Sequence, residues 1–286
     1  MGKLILGADA GNHTGKFVGQ YGEDSFKTNI CNWFERDVED RFGNDDMEFE
    51  INGRKGFAGS IAEYEDEFGD GTTFGDTKAH EDTKIRILLG VYRYIEKYCP
   101  GTQIINLVTG QPISNHKDEE KNKIIQMLKG HHNFLVNKKR INFYIEDVKV
   151  APEGSSAFWA NPQMGQYRIV DVGSGTVNMA TLSDKRHVHK SSGTLNTGME
   201  TIKNKSDYEG VARAIFQNAT KLKWKKNDDV WVCGGVTEQL LPYLLKYFPN
   251  ATAMQVHLKR DYDVLALKPV FANATAFYNM AKGTFE

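Results

Sequence analysis

Two segments of this chain, at 4–19 and at 167–182, show the same order of residue types although they lie far apart in the sequence. Each begins with a run of apolar and β-branched residues, passes through an Asp-x-Gly turn with small polar residues, and ends in a second run suited to a strand. Such a pattern predicts a β-hairpin. A hairpin that recurs at about half the length of the chain predicts two halves of similar structure.

The rest of the chain alternates between strand-like and helix-like segments, which predicts an α/β fold built in layers. A further hairpin is predicted to turn at Asn52-Gly53. Helices are predicted at 81–98, at 117–129, from Ser155, at 207–223, at 237–248 and at 272–282.

The two turns also have the residue types of a phosphate site. Glycine, which lets the backbone approach a ligand closely, stands at four positions, namely Gly11, Gly15, Gly173 and Gly175. Consecutive backbone N–H groups in such turns form a concave site for anionic oxygen atoms. Asp9 and Asp171 lie at the mouths of the turns, where a carboxylate holds magnesium, usually through water. Lys16 adds a positive charge for a phosphate.

A purely structural interpretation competes with this one, because Asp-Gly is a common hairpin turn that needs no ligand. For one hairpin alone the structural interpretation is the better one, whereas the matched pair favours a ligand. Two familiar nucleotide motifs are excluded. Ala10 and Phe17 replace the Gly and the Ser or Thr of a Walker A loop, and Asn178 replaces the third Gly of a dinucleotide motif that begins at Gly173.

Composition and charge indicate which partners the protein can bind and in which cellular compartment it lies. The net charge of −1 and the lack of a clear recognition helix argue against direct DNA binding. The three cysteines are far apart, so reduced thiols are expected. Asp9 interrupts the apolar run near the start, and no run approaches the 18 apolar residues or so that a membrane span needs. We therefore expect a cytoplasmic protein that does not bind membranes.

Five segments, in order, resemble the five motifs of the actin/sugar-kinase/chaperone ATPase superfamily. They are a first phosphate loop at 7–16, a first connecting helix at 149–160, a second phosphate loop at 171–179, an adenosine motif at 230–236 and a second connecting helix at 270–281. The resemblance implies a two-domain, actin-like (ribonuclease H-like) ATPase fold. The segment 273–276 departs from the pattern, because Thr and Ala stand where the family often has a Gly that allows close helix packing.

Within the superfamily, the segments 52–59 and 108–112 and the pair Pro152-Glu153 resemble the plasmid-segregation actins of the ParM/StbA and AlfA kind. By this resemblance Glu153 and Asp171 are catalytic and position the attacking water. The nucleotide-binding residues that it implies are Asp9, Gly11, Asn12, Thr14, Gly15, Lys16, Gly173, Ser174, Gly175, Thr176, Gly234 and Gly235. For Glu153, capping of the helix from Ser155 is the competing role.

By the same resemblance, Asp9 and Asp171 hold Mg²⁺ through bound water, and Lys16 contacts phosphate. Hydrolysis of ATP needs placement and charge neutralisation more than covalent chemistry, so these residue types suit the task. Whether GTP replaces ATP is left open, since base selectivity depends on the pocket around Gly234.

The interval between Asp171 and Gly234 is much shorter than in ParM or actin, where it holds an extra subdomain. The resemblance therefore implies a reduced or missing subdomain IIB, as in the AlfA-like branch. We expect domain I at 1–155 plus 270–286, with 28–80 as its subdomain IB, and domain II at 156–269.

This branch implies filaments that assemble with ATP and move plasmid DNA through a DNA-binding adaptor protein. A small-molecule kinase of the sugar or pantothenate type remains the alternative on the same fold. Such a kinase needs an Asp general base in an acceptor pocket, and domain II offers no convincing candidate. A monomeric nucleotide-dependent regulator is a third possibility.

Overall fold

The computed structural model describes residues 3–37, 43–65, 77–199 and 201–286. Nine strands come from the first part of the chain: β1 Leu4–Ala10, β2 Thr14–Gly19, β3 Gly22–Lys27, β4 Ile30–Asn32, β5 Met47–Ile51, β6 Arg54–Ala58, β7 Ile104–Gln111, β8 Gly130–Val136 and β9 Lys139–Pro152. The later strands are β10 Gln166–Val172, β11 Val177–Ser183, β12 Arg186–His187, β13 Gly193–Leu195, β14 Val230–Gly234, β15 Ala251–Ala253, β16 Val256–Lys259 and β17 Val264–Leu267. The α-helices are α1 Ser60–Glu65, α2 Glu81–Tyr98, α3 Asp118–Leu128, α4 Tyr208–Lys221, α5 Thr237–Leu244 and α6 Ala272–Phe285.

The first nine strands form one mixed sheet in the order β3-β2-β1-β7-β9-β8-β5-β6-β4. Helix α2 packs on β1, β2 and β3, and its buried face includes Ile85, Leu88 and Leu89. These side chains join the largest apolar core of the described residues, as the helical spacing of apolar residues at 81–98 predicts.

The second sheet has the order β12-β11-β10-β14-β15, and β13 pairs with β11. Helices α4 and α5 pack against each other, and their apolar side chains share one core with β10, β11 and β14. Between β11 and α4 the described residues form two short strands and a 3-10 turn at His189–Ser191, which leaves no room for a further subdomain there.

The predicted matching hairpins are confirmed. Strand β1 pairs antiparallel with β2, so that Asp9 lies opposite Lys16. Strand β10 pairs antiparallel with β11, so that Asp171 lies opposite Asn178. On its other side each first strand has a parallel neighbour, β7 beside β1 and β14 beside β10. The two hairpins therefore occupy equivalent places in their sheets.

Helix α6 packs between the two sheets. It contacts β1 and β7, and its Ala272 and Ala276 join the core next to β10, β11 and β14. A Cβ atom on Gly7 would lie 2.1 Å from the carbonyl oxygen of Ala274 and 2.3 Å from the backbone nitrogen of Tyr278. The close helix packing that the family pattern assigns to a Gly in the helix is thus allowed here by a glycine on the strand.

Strands β1–β9 lie in the first sheet and strands β10–β15 in the second. This division supports our proposal of one domain at 1–155 plus 270–286 and another at 156–269. Hairpin β16–β17 contacts both domains, because its Leu258 and Leu265 pack with Val18 and α6 whereas its Val256 joins the core beside β10 and β11. Strands β4–β6 and helix α1 lie in the proposed subdomain IB. Its residues 38–42 and 66–76 lie outside the described part of the chain.

Two predicted helices differ from the structure. The helix predicted from Ser155 is a 3-10 turn, Ser155–Ala160, and the sequence Asn161-Pro162 explains its end, because a residue before proline disfavours the helical conformation. Helix α5 ends at Leu244 instead of reaching residue 248. Among the described residues, Cys99 and Cys233 are free thiols. No helix in the described ranges is both long and apolar enough to cross a membrane.

Candidate functional site

Both hairpin turns line a single cavity of about 630 Å³. Thirteen of the fourteen predicted site residues lie on its wall: Asp9, Gly11, Asn12, Thr14, Lys16, Glu153, Asp171, Gly173, Ser174, Gly175, Thr176, Gly234 and Gly235. They come from the β1–β2 hairpin and its turn, the end of β10 and the turn that follows it, the turn after β9, and the end of β14. The arrangement of the two sheets thus brings together residues that are more than two hundred positions apart.

Gly15 is the exception. A Cβ atom there would meet the side chains of Thr28, Phe17 and Phe26 at 2.9 to 3.3 Å, so this glycine faces the packed interior of the hairpin. Its role is to let those aromatic rings pack under the turn. Gly15 does not line the cavity, because alternate residues of a strand point to opposite faces, and its part in nucleotide binding stays a prediction.

Asp9 lies between two ammonium groups. Lys16 Nζ is 3.7 Å from Asp9 Oδ2, and Lys78 Nζ is 3.6 Å from Asp9 Oδ1. All three side chains line the cavity. This end of the cavity therefore presents positive charge on both sides of one carboxylate.

Glu153 follows β9 and is buried. Its carboxylate accepts a hydrogen bond from the Lys78 ammonium. Burial raises the pKa of Glu153, Lys78 opposes that rise, and the negative charges of Asp9 and Asp171 add to it. Glu153 does not cap the turn at Ser155–Ala160, which has no side-chain cap. The competing capping role is therefore not supported.

Asp171 is also buried, at the end of β10. Asn273 Nδ2 donates a hydrogen bond to Asp171 Oδ2 at 2.9 Å. Burial raises the pKa of Asp171, and the hydrogen bond from Asn273 opposes that rise. The neighbouring thiol of Cys233 has its pKa raised by burial and by the charge of Asp171, so it remains protonated.

A buried arginine, Arg86, stabilises the turn between β1 and β2. Arg86 Nη1 donates to Asn12 Oδ1 at 2.7 Å, and Arg86 Nε donates to the carbonyl oxygen of Thr28 at 3.0 Å. The Thr28 hydroxyl in turn donates to the carbonyl oxygen of Gly11 at 2.6 Å. Burial lowers the pKa of Arg86 to about 10, which leaves the guanidinium charged at neutral pH. Helix α2 thus fixes the shape of the turn.

At the other end of the cavity, Gly234 has φ +106, and a Cβ atom there would lie 2.2 Å from the carbonyl oxygen of Val172. Only glycine combines that dihedral angle with so close an approach. Gly235, Val236, Pro269 and Val270 continue this wall of the cavity. It is a backbone and apolar surface, suited to a flat aromatic base.

Among the cavity residues that were not predicted, two bind the predicted carboxylates directly, Lys78 and Asn273. Lys78 gives no local signal, since nothing near it in sequence shows that it reaches Glu153 and Asp9. Asn273 was considered only as part of a helix-packing motif, although its position in the last motif could have suggested a contact with the site. Both contacts join segments that are distant in the chain.

The residues fit a nucleotide and its metal. Lysines beside two glycine-rich turns suit phosphate oxygens, and Asp9 and Asp171 offer the oxygen ligands that Mg²⁺ prefers. In the described part of the chain no three His, Cys, Asp or Glu side chains lie close enough to hold a metal ion among themselves. Binding of Mg²⁺ through water and phosphate oxygens, rather than by a protein cage, agrees with that arrangement.

The family described as the N-terminal domain of actin-like proteins matches residues 7–155, more than half of the chain. The chain belongs to the actin-like proteins. A comparison with curated protein sequences gives no match.

Solved structures agree with this assignment over the whole chain. An AlfA filament bound to AMPPNP is 20% identical, with a TM-score of 0.76 and 100% of each chain covered. The filament structure of AlfA from a B. subtilis plasmid is 20% identical, with a TM-score of 0.78, and covers 96% of this chain and 97% of that one. The apo ParM protein of psk41 is 16% identical, with a TM-score of 0.71, and covers 99% and 98%. This actin-like protein therefore has the actin-like fold throughout.

Proposed function

We propose that this actin-like protein binds ATP with Mg²⁺ in the cavity, hydrolyses it, and assembles into filaments. The observation that carries the proposal is the meeting of Asp9 and Asp171, from two equivalent hairpins, on the wall of one cavity together with Lys16. A polyphosphate held between the two turns would contact both halves of the molecule. Its binding would then couple their relative position to the nucleotide, as in hinge proteins.

In this proposal the phosphates lie against the two turns, and the adenosine lies along Gly234, Gly235 and Val270. Ser174 and Gly175 support the phosphate position, because their backbone N–H groups make no hydrogen bond within the described residues. Lys16 neutralises phosphate charge, and bound Mg²⁺ supplies further neutralisation. The same wall would accept guanosine unless a polar group selects the base. We therefore propose ATP as the nucleotide, and assembly with GTP in place of ATP tests the choice of base.

For hydrolysis, we assign Glu153 the role of orienting the attacking water and accepting its proton. Asp171 positions the water of the metal shell. Both carboxylates are buried and line the cavity, so each lies where bulk water is excluded and its charge acts strongly.

Self-association follows from the likeness of the whole chain to proteins solved as filaments, among them an AlfA filament bound to AMPPNP. We propose that the filaments act in the cytoplasm to segregate plasmid DNA through a DNA-binding adaptor protein. The net charge of −1 supports an adaptor rather than direct DNA binding.

Right-angle light scattering and sedimentation of the purified protein test the proposal. We expect assembly at tens of micromolar with ATP and Mg²⁺ or with a non-hydrolysable ATP analogue, and none with EDTA. A protein that stays monomeric with the analogue contradicts the filament proposal. Phosphate transfer stimulated by a sugar or by pantothenate, independent of protein concentration, would show a small-molecule kinase instead.

A further inference from the structure

Lys78 is a buried cation at the centre of the site that the proposed hydrolysis does not use. Its side chain is 12% exposed and that of Glu153 is 10% exposed, so this is an ion pair inside the cavity and not a surface contact. Burial lowers the pKa of Lys78, but the attraction of Glu153 and Asp9 outweighs that effect and raises it. The amine is therefore protonated at neutral pH.

The backbone around Lys78 is held by a network of hydrogen bonds. The Lys78 N–H donates to Gln111 Oε1 at 2.9 Å, and Gln111 Nε2 donates to Thr77 Oγ1 at 3.0 Å. Gln111 is fully buried, and the Thr77 hydroxyl donates to Glu120 of helix α3. The end of β7 and helix α3 thus fix the position from which the Lys78 side chain enters the cavity.

The charges of the cavity explain why a second lysine matters. Three carboxylates line it, Asp9, Glu153 and Asp171, against the two ammonium groups of Lys16 and Lys78. A triphosphate adds several negative charges to this excess. Its terminal oxygens offer Lys78 an acceptor stronger than Glu153, since phosphate carries more charge than one carboxylate.

We propose that Lys78 exchanges partners when ATP binds, leaving Glu153 for the terminal phosphate. This inference rests on the proposed function. With Lys78 on the phosphate, Glu153 is free to accept a proton. The oxygen of water then bonds to the terminal phosphorus, the bond from phosphorus to the bridging oxygen breaks with its electron pair on ADP, and the proton of water passes to Glu153. Lys78 is thus a substrate-contacting residue that also releases the base.

The exchange has an unusual consequence for binding. Breaking the Lys78–Glu153 pair opposes ATP binding, so Glu153→Gln should tighten the binding of a non-hydrolysable ATP analogue in the presence of Lys78. In a Lys78→Met background the same Glu153→Gln change should have no such effect. ADP, which lacks the terminal phosphate, should show neither effect. A purely structural ion pair would instead give equal changes for both nucleotides.

The test is a double-mutant cycle on the full-length protein, with affinities for the ATP analogue and for ADP measured by calorimetry. We expect Lys78→Met to weaken binding of the ATP analogue about tenfold, as the loss of a charge-assisted hydrogen bond does, and to leave the affinity for ADP unchanged. Single-turnover hydrolysis should fall by about 10². Lys78→Arg should restore part of both, and Lys149→Met, which alters an exposed lysine on β9, should match the wild type.

Two results would contradict the exchange of partners by Lys78 and would leave the proposed function unaffected. One is a Lys78→Met variant with the wild-type ratio of analogue to ADP affinity. The other is the same effect of Glu153→Gln with and without Lys78. Should Lys78→Met fail to fold, the Lys78→Gln variant decides, because it keeps a hydrogen-bond donor for Glu153 without the charge, and an unchanged affinity ratio and rate there would also contradict partner exchange. Failure of the wild-type protein to bind the analogue would instead remove the proposed function itself.

Discussion

Asn273 holds Asp171 from the first turn of helix α6: its amide Nδ2 donates to the Asp171 carboxylate at 2.9 Å. The carbonyl oxygen of the same side chain accepts a hydrogen bond from the backbone N–H of Gly154 at 3.2 Å. One side chain therefore fixes both the second hairpin and the residue that follows Glu153. The two proposed catalytic carboxylates are aligned through it.

Asn273→Ala should destabilise the protein, because it leaves a buried carboxylate and a buried N–H group without their partner. We expect a loss of about 2 kcal/mol in the free energy of unfolding, measured by urea denaturation. The change also removes the hydrogen bond that lowers the pKa of Asp171. A larger fraction of Asp171 is then protonated at acid pH, so the rate of hydrolysis should fall more there than at neutral pH. Asn279→Ala is the matched control, since Asn279 lies in the same helix but is exposed. Equal effects of the two variants would contradict the role given to Asn273.

Glu153→Gln should abolish hydrolysis while keeping nucleotide binding and assembly. The amide preserves the shape of the side chain but cannot accept the proton, and loss of a general base lowers rates by about 10² to 10⁴. Phosphate release under single-turnover conditions measures the effect. Glu146→Gln, on the same strand and outside the cavity, is the control. Full activity of Glu153→Gln would remove Glu153 from the mechanism.

The rate of hydrolysis should depend on pH through the ionisation of Glu153. The base must be ionised to act, and burial raises its pKa above the ordinary value of 4.5. The rate should therefore be full above the raised pKa and fall as the pH drops through it. In Lys78→Met this acid limb should move to higher pH, because a cation that favours the ionised form is gone. The ratio kcat/KM, which reports the protein before ATP binds, is measured across pH, with circular dichroism confirming that the fold is intact. A limb at the same pH in both proteins would contradict the coupling.

Gly7→Ala should be among the most damaging small changes in the chain. The added methyl group would meet backbone atoms of Ala274 and Tyr278 at 2.1 and 2.3 Å, so α6 would have to move away from β1. We expect a loss of about 3 kcal/mol or more in the free energy of unfolding. Gly283→Ala in the same helix has open space around it and should be neutral or stabilising by about 0.5 kcal/mol. Thermal melts of the two variants make the comparison.

The parts of the fold that local sequence encodes were predictable. Alternating apolar residues and an Asp-x-Gly turn define each hairpin, and the spacing of apolar residues at 81–98 defines α2, because these signals depend on near neighbours alone. The grouping of the two turns in one cavity followed from their resemblance to known motifs in a known order.

The contacts that complete the site were not predictable in the same way. Lys78 meets Glu153, and Asn273 meets Asp171, only after the two sheets have assembled. The pattern gives the turn but not the face to which each residue points, so it could not show that Gly15 lies off the cavity wall. The segment from Ser155 is a 3-10 turn instead of the expected helix, and Asn161-Pro162 ends it after Ala160.

The placement of α6 has a consequence during translation. Strand β1 is made before α6, so its Gly7 finds its packing partners only when residues 274 to 278 have left the ribosome. A growing chain can pair the strands of both sheets, but it lacks Asn273 and the helix between them. An unfinished copy would therefore have no complete cavity before its synthesis reached α6.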